Sequence, residues 1–252
     1  MRPAPRCLAA LLLMLLWPSG NALSSSEPVT WVALSPETAI ASTLPSAGEP
    51  LVANAEADSR AIEEMLRGSN GRLEQWTDVP ELVVLTSVMQ FQAGESSEYV
   101  ATSDVLTPED VDDLVTELTT ALGLLTGNRF EHFAAIRSES VVPGTSSRVI
   151  RKHQIVVGRY RNVRHLAGIL GLGGRSVRAD GAITGAAVIL DDEYDRTGPM
   201  RARLRSHELG HALGYHHVET RESIMNPRIG SDATAVDRRI ATIAYGPGVH
   251  GR

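Results

Sequence analysis

Two histidines four residues apart, with a glutamate directly after the first, are the residues of this chain whose types and spacing could do chemistry. On an α-helix His207 and His211 share one face, about one turn apart, so both imidazoles can reach a single metal ion. Glu208 follows the first ligand and can take a proton from a water held at that metal. His217 comes ten positions after His207. A continued helix would turn it roughly 80° away from His207 and carry it about 2.8 turns along. To meet the same metal, the helix must stop and the chain must double back. Gly214 stands where this has to happen, and glycine enters the left-handed conformation just past a helix end at least cost.

In this order His207, Glu208, His211, Gly214 and His217 form an HExxHxxGxxH unit, which resembles that of the metzincin zinc endopeptidases. The resemblance implies one catalytic zinc on three imidazoles, a fourth position open to water, and Glu208 as the general base of peptide-bond hydrolysis. It also implies a tight turn downstream whose methionine lies beneath the metal. Ser223-Ile224-Met225-Asn226-Pro227 fits, with Met225 eight residues after His217. Some of these enzymes carry a tyrosine two residues after that methionine, where this chain has Pro227, and Val218 marks no subfamily. His216 competes with His217, but the spacing from Gly214 favours His217, which leaves His216 a surface or supporting residue. His132, His153, His165 and His250 are scattered, and no second, structural zinc is expected.

The elements that must position these groups follow from pattern. Residues 199–214 are expected to be the helix of the site. Leu82, Val83, Val84, Leu85 and Val88 mark a buried strand over 82–88. Thr107, Pro108, Glu109 and Asp110 are a helix start, followed by an apolar stripe at Val111, Leu114, Val115, Leu118, Leu122 and Leu125 and a stop at Gly127. Residues 130–136, 148–157 and 183–190 read as strands, and 55–66 as a helix ending near Gly68. A last helix is expected over 234–245, with Val236, Ile240, Ile243 and Ala244 inward. The glycine-rich stretch 166–174 is, by the resemblance, an edge strand onto which an extended substrate adds; an ordinary loop is the other reading. Asp191, Asp192, Glu193 and Asp195 are expected to form a solvated turn; a calcium site there is possible but not predicted. The fold class is therefore α+β, with a twisted mixed sheet, a long helix, the metal helix and a small C-terminal subdomain with one helix.

Composition bounds the rest. Arg2 and Arg6, an apolar run over 8–17 and small residues up to Ala22 read as a secretory signal peptide over 1–22. Ten apolar residues fall short of the about 20 a bilayer core needs. An exported, secreted or periplasmic, protein follows. Cys7 is the single cysteine and lies within that segment, so disulfides and a cysteine switch are excluded beyond it. Residues 23–80 are expected as a flexible N-terminal extension or pro-segment, in which Asp58 and Asp78 are the available carboxylates. Residues 81–252 are expected as the catalytic domain. Removing residues 1–22, which hold two arginines and no acid, takes the formal charge from −6 to −8. That balance argues against nucleic acid or an anionic membrane surface as partner. The expected partner is a protein or peptide held as an extended strand. A zinc hydrolase of another amide or ester and a non-catalytic zinc-containing binding protein are the alternatives, and Glu208 speaks against the latter because a metal scaffold needs no base.

Overall fold

A computed structural model describes residues 30–32, 55–68, 71–92, 98–228 and 231–246. The signal-peptide assignment, most of the leader and the last residues, 247–252, lie outside them. The architecture is α+β, with a mixed nine-stranded sheet and six helices among the described residues.

The chain runs through β1 (Thr30–Val32), α1 (Ala55–Leu66), β2 (Glu81–Leu85), β3 (Ser87–Gln90), β4 (Glu98–Val105) and α2 (Pro108–Leu125). It continues through β5 (Ile136–Glu139), β6 (Ser146–Arg148), β7 (Gln154–Arg161), α3 (Val163–Ala167), β8 (Gly171–Val177) and β9 (Ile183–Asp191). Helices α4 (Asp192–Thr197), α5 (Arg201–Ala212) and α6 (Ala235–Tyr245) complete it. Strands β5, β2, β7 and β9 lie parallel in that order, and β8 adds antiparallel to β9. On its other side β8 pairs with β1 over Arg175–Val177, leaving Gly171–Gly174 without a strand on that side among the described residues.

Period-two alternation along the strands makes two cores. Leu82, Val84, Ile155, Val157, Ala186, Val188 and Leu190 face α2, α5 and α6. Val83, Leu85, Val156, Ala187 and Ile189 face the opposite side, with Phe91, Tyr99 and Tyr160. Helix α2 begins as its sequence dictates. The Thr107 hydroxyl accepts from the Asp110 N–H at 3.2 Å, and the Asp110 carboxylate accepts from the Thr107 N–H at 3.1 Å.

Several expectations need correction. The strand expected over 82–88 is broken at Thr86, and its halves serve different neighbours: β2 pairs with β5 and β7, β3 with β4 and β7. Residues 130–135 form no strand; Phe130 and Phe133 plug the core from an irregular segment, Phe130 packing edge-on against Tyr245. The stretch 148–157 is cut by a turn in which His153 takes φ 62°. Ile243 is 41% exposed, and Ala241 and Tyr245 take the inward positions beside Val236, Ile240 and Ala244. The acidic cluster is solvated only in part: Glu193 is exposed, but Asp191 is buried and caps α4 by accepting from the Tyr194 N–H, and Asp195 is fully buried between Arg159 and Arg205. Each carboxylate is aimed at its own cation or N–H, the opposite of a convergent calcium cage.

Within 23–80, the region set apart as an extension or pro-segment, Ala61, Met65 and Trp76 are buried in the same core as the later strands and helices, and Thr30–Val32 extends the sheet. Among the described residues no helix is long and apolar enough to cross a membrane.

Candidate metal centre

Helix α5 carries His207 and His211 and must end sharply for His217 to return. The last carbonyls of a helix have no intrahelical partner, and here the fold supplies one for each. Gly210 O accepts from the Tyr215 N–H, and His211 O from Arg175 Nη1 at 2.8 Å. Ala212 O accepts from Trp76 Nε1 at 2.9 Å, and Leu213 O from the Tyr245 hydroxyl at 2.6 Å. The chain then reverses at Gly214, whose φ is 108°. A Cβ there would lie 2.0 Å from the Glu74 carbonyl oxygen, so both the conformation and the close approach require glycine.

The three histidines converge. Their Nε2 atoms are 3.1 Å apart for His207 and His211, 3.1 Å for His211 and His217, and 3.3 Å for His207 and His217. His207 Nδ1 faces the Ile224 carbonyl at 2.8 Å and His211 Nδ1 the Tyr215 carbonyl at 2.9 Å. A carbonyl only accepts, so each Nδ1 carries the proton and each Nε2 presents a lone pair. Burial pushes His207 down to about 4, and it pushes His211 well below the ordinary histidine range, with the neighbouring imidazoles adding to both shifts. Neutral rings whose lone pairs crowd together repel one another unless a cation lies between them. Tetrahedral zinc, with Zn–N distances of about 2.0–2.1 Å, separates its nitrogens by roughly 3.3–3.4 Å. The donor set therefore fits a zinc ion, and it is the one such cluster among the described residues.

No protein-family model matches this chain, and no curated protein matches it.

Glu208 is buried beside His207, and the N–H of Gly173 faces its carboxylate. Burial pushes the carboxyl up to about 8, only partly offset by that N–H. A cation at the three nitrogens acts in the opposite direction. The glycines of β8 serve this packing. A Cβ on Gly171 would meet Glu208 Oε1 at 2.6 Å, and one on Gly173 would meet the Glu208 carbonyl oxygen at 2.4 Å and His211 Cβ at 2.5 Å. They let α5 lie directly on the strand, a reason for small residues that differs from the substrate approach expected from the sequence. The glycine-rich stretch is also not one element: Leu166 belongs to α3, and the strand begins at Gly171.

Met225 is fully buried beneath α5, where a Cβ on Gly210 would strike its sulfur at 2.3 Å. The turn that carries it is pinned from α6. Asp237 accepts from the Ser223 hydroxyl at 2.5 Å and from the Ile224 N–H at 3.2 Å. It also accepts from the Thr234 N–H at 2.7 Å and the Thr234 hydroxyl at 2.8 Å. The same turn presents the Ile224 carbonyl to His207, so the turn orients that imidazole as well as packing beneath its helix.

All six site residues named from the sequence, His207, Glu208, His211, Gly214, His217 and Met225, are brought to this one place. Others were missed. Arg175 is fully buried and joins Glu74, the His211 carbonyl and, at 2.7 Å, His216 Nε2. His216 is thus a supporting residue. Arg205 Nε donates to Asp195 Oδ1, and its Nη1 to Glu117 on α2, which locks the start of α5. The signal for Arg175 was a lone charge inside an otherwise small and apolar strand. For Asp237 it was the Thr-x-x-Asp spacing from Thr234, which announces a helix cap but not its second task. Asp58 pairs with Arg221, and Asp78 accepts from the Thr77 hydroxyl.

Proposed function

We propose that this protein is an exported zinc-dependent endopeptidase. The observation that carries the reading is the convergence of three Nε2 atoms to within 3.1–3.3 Å, with a buried glutamate on the same helix beside the first of them. His207, His211 and His217 would hold the metal. When bound, zinc lowers the pKa of a water toward neutrality and polarises a carbonyl oxygen.

The chain's own residues supply the remainder. Glu208 takes a proton from the attacking water onto a carboxylate oxygen and passes it to the nitrogen of the leaving amine. Gly171, which lies against the Glu208 carboxylate, and Gly173, which lies against the Glu208 backbone, keep that carboxylate in one place. The buried surroundings suit a proton carrier, because they bring the carboxyl's affinity for a proton nearer to that of its partners. The β8 edge at Gly171–Gly174 has no described strand on it and lies against Glu208, which supports docking of an extended peptide by strand addition. The order β5-β2-β7-β9-β8, with an antiparallel β8 under the metal helix, supports a metzincin-like reading of the finer fold.

The test is metal analysis of the purified protein, together with cleavage of casein or a peptide library by wild type and Glu208→Ala. Stoichiometric zinc in both, with cleavage by wild type only and a loss of about 10²–10⁴-fold in the variant, is the expected result. Absence of zinc from wild type removes the site assignment. Zinc in both without cleavage by either favours the binding-protein reading.

A further inference from the structure

His217 is the one ligand that α5 does not carry, so its position depends on what holds the chain after Gly214. The backbone around it is tied from two sides. From the 223–226 turn, the Met225 carbonyl accepts from the Val218 N–H at 2.9 Å, and Asn226 Nδ2 donates to the Val218 carbonyl at 2.5 Å. Helix α1 holds the flanking residues. The Met65 carbonyl accepts from the His216 N–H at 3.0 Å. Glu64 Oε2 accepts from the Glu219 N–H at 3.0 Å, the Thr220 N–H at 3.4 Å and the Thr220 hydroxyl at 3.1 Å. Met65 lies in the last turn of α1, where carbonyls lack helical partners. A carboxylate gathering three donors makes strong, charge-assisted bonds. Arg221 completes the seam by pairing with Asp58 on the same helix. The helix itself is anchored by Ala61 and Met65, both fully buried in the main core.

We infer that α1 is part of the metal centre's support and that Glu64 is a positioning residue for His217; this rests on the zinc reading above. A ligand on an untethered segment must be ordered when the metal binds, and that ordering is subtracted from the binding free energy. Here the fold orders residues 216–220 beforehand. A corollary is that proteolytic trimming compatible with an intact site stops before α1.

The experiment measures zinc affinity of the full chain by competition with a chelating indicator, together with thermal unfolding of the metal-free proteins. Wild type is compared with Glu64→Ala, Glu64→Gln and Arg60→Ala, the last altering an exposed residue paired with Glu56 on the same helix. The expected result is a loss of about 10–100-fold in zinc affinity for Glu64→Ala, with a metal-free melting temperature close to wild type. A smaller loss is expected for Glu64→Gln, which keeps an acceptor oxygen, and none for Arg60→Ala. If Glu64→Ala does not fold, the Glu64→Gln comparison with Arg60→Ala decides. Zinc affinity unchanged in the Glu64 variants overturns the role of α1 and leaves the zinc site standing. A loss matched by an equal loss of metal-free stability also overturns it, because the residue then serves the fold at large. A wild type that binds no zinc overturns both readings.

Discussion

The backbones of Gly173 and Glu208 lie so close that a Cβ at 173 would sit 2.4 Å from the Glu208 carbonyl oxygen. Strand β8 and helix α5 are thus in backbone contact at the base of the site. Alanine at 173 meets backbone that cannot yield, and the expected cost is about 1–3 kcal/mol or more of stability, with zinc affinity lost alongside. Alanine at 171 meets the end of the Glu208 side chain, which can swing away. Gly171→Ala is therefore expected to fold and bind zinc but to lose most of the proposed peptidase activity. Urea unfolding and zinc titration of the two variants check this; equal stability loss in both would refute the distinction.

Asp237 accepts from four donors, the Ser223 hydroxyl and Ile224 N–H of the Met225 turn and the N–H and hydroxyl of Thr234 at the start of α6, and so joins the turn to that helix. Asparagine offers a single acceptor oxygen in place of two and turns an amide N–H₂ toward groups that are themselves donors. Asp237→Asn is expected to destabilise the protein by about 2–4 kcal/mol, since buried donors lose their partners. Because Ile224 also orients His207, zinc affinity should fall as well. Calorimetric melting with and without added zinc measures both effects, and a variant with wild-type melting behaviour would show that the turn stands without this staple.

Glu74 sets an acid limit on stability. Burial pushes its carboxyl up, but His216, 3.8 Å away, and the charge and hydrogen bond of Arg175 outweigh that and hold it at about 2 against an ordinary 4.5. A carboxylate whose folded-state pKa is depressed contributes stability that is fully present above its unfolded pKa and is lost as pH falls through the folded one. The window is therefore roughly pH 4.5 down to 2. Glu74→Gln should be less stable than wild type at neutral pH, because Arg175 is left buried without its counter-charge. It should also lose less further stability across that window. Denaturant midpoints at a series of pH values test this, and parallel curves for the two proteins would sink it.

Truncation separates the two parts of the N-terminal region. A chain beginning at residue 55 keeps α1, Glu74 and Trp76 and is expected to bind zinc as the full chain does. A chain beginning at residue 81 loses the buried Ala61, Met65 and Trp76 and the partner of the Ala212 carbonyl. It is expected to unfold or to bind zinc far more weakly. Circular dichroism and zinc titration of the pair distinguish these outcomes, and a folded, zinc-binding 81–252 fragment would contradict them.

The histidine cluster was legible in the sequence because its geometry is local. Helical spacing places His207 and His211 on one face, and a glycine followed three residues later by a histidine marks the reversal. The long helix was legible for the same reason, its capping residues Thr107 and Asp110 lying within one turn. Strand boundaries were less so. Phe130 and Phe133 have the composition of a strand, yet they are spent as core plugs, and no local pattern separates the two uses.

By itself, then, the sequence determined which residues could share a metal and where the chain had to turn, since both follow from backbone periodicity and the conformational freedom of glycine. Only the tertiary structure decided what makes that arrangement rigid. Glu74, Arg175, Asp237 and Glu64 act on partners up to about 155 residues away, as Glu64 does on Glu219, and the glycines of β8 are small because of a helix some 35 residues later. Hydrogen bonds and close backbone approach depend on distance in space, which spacing along the chain does not encode once it exceeds a few turns.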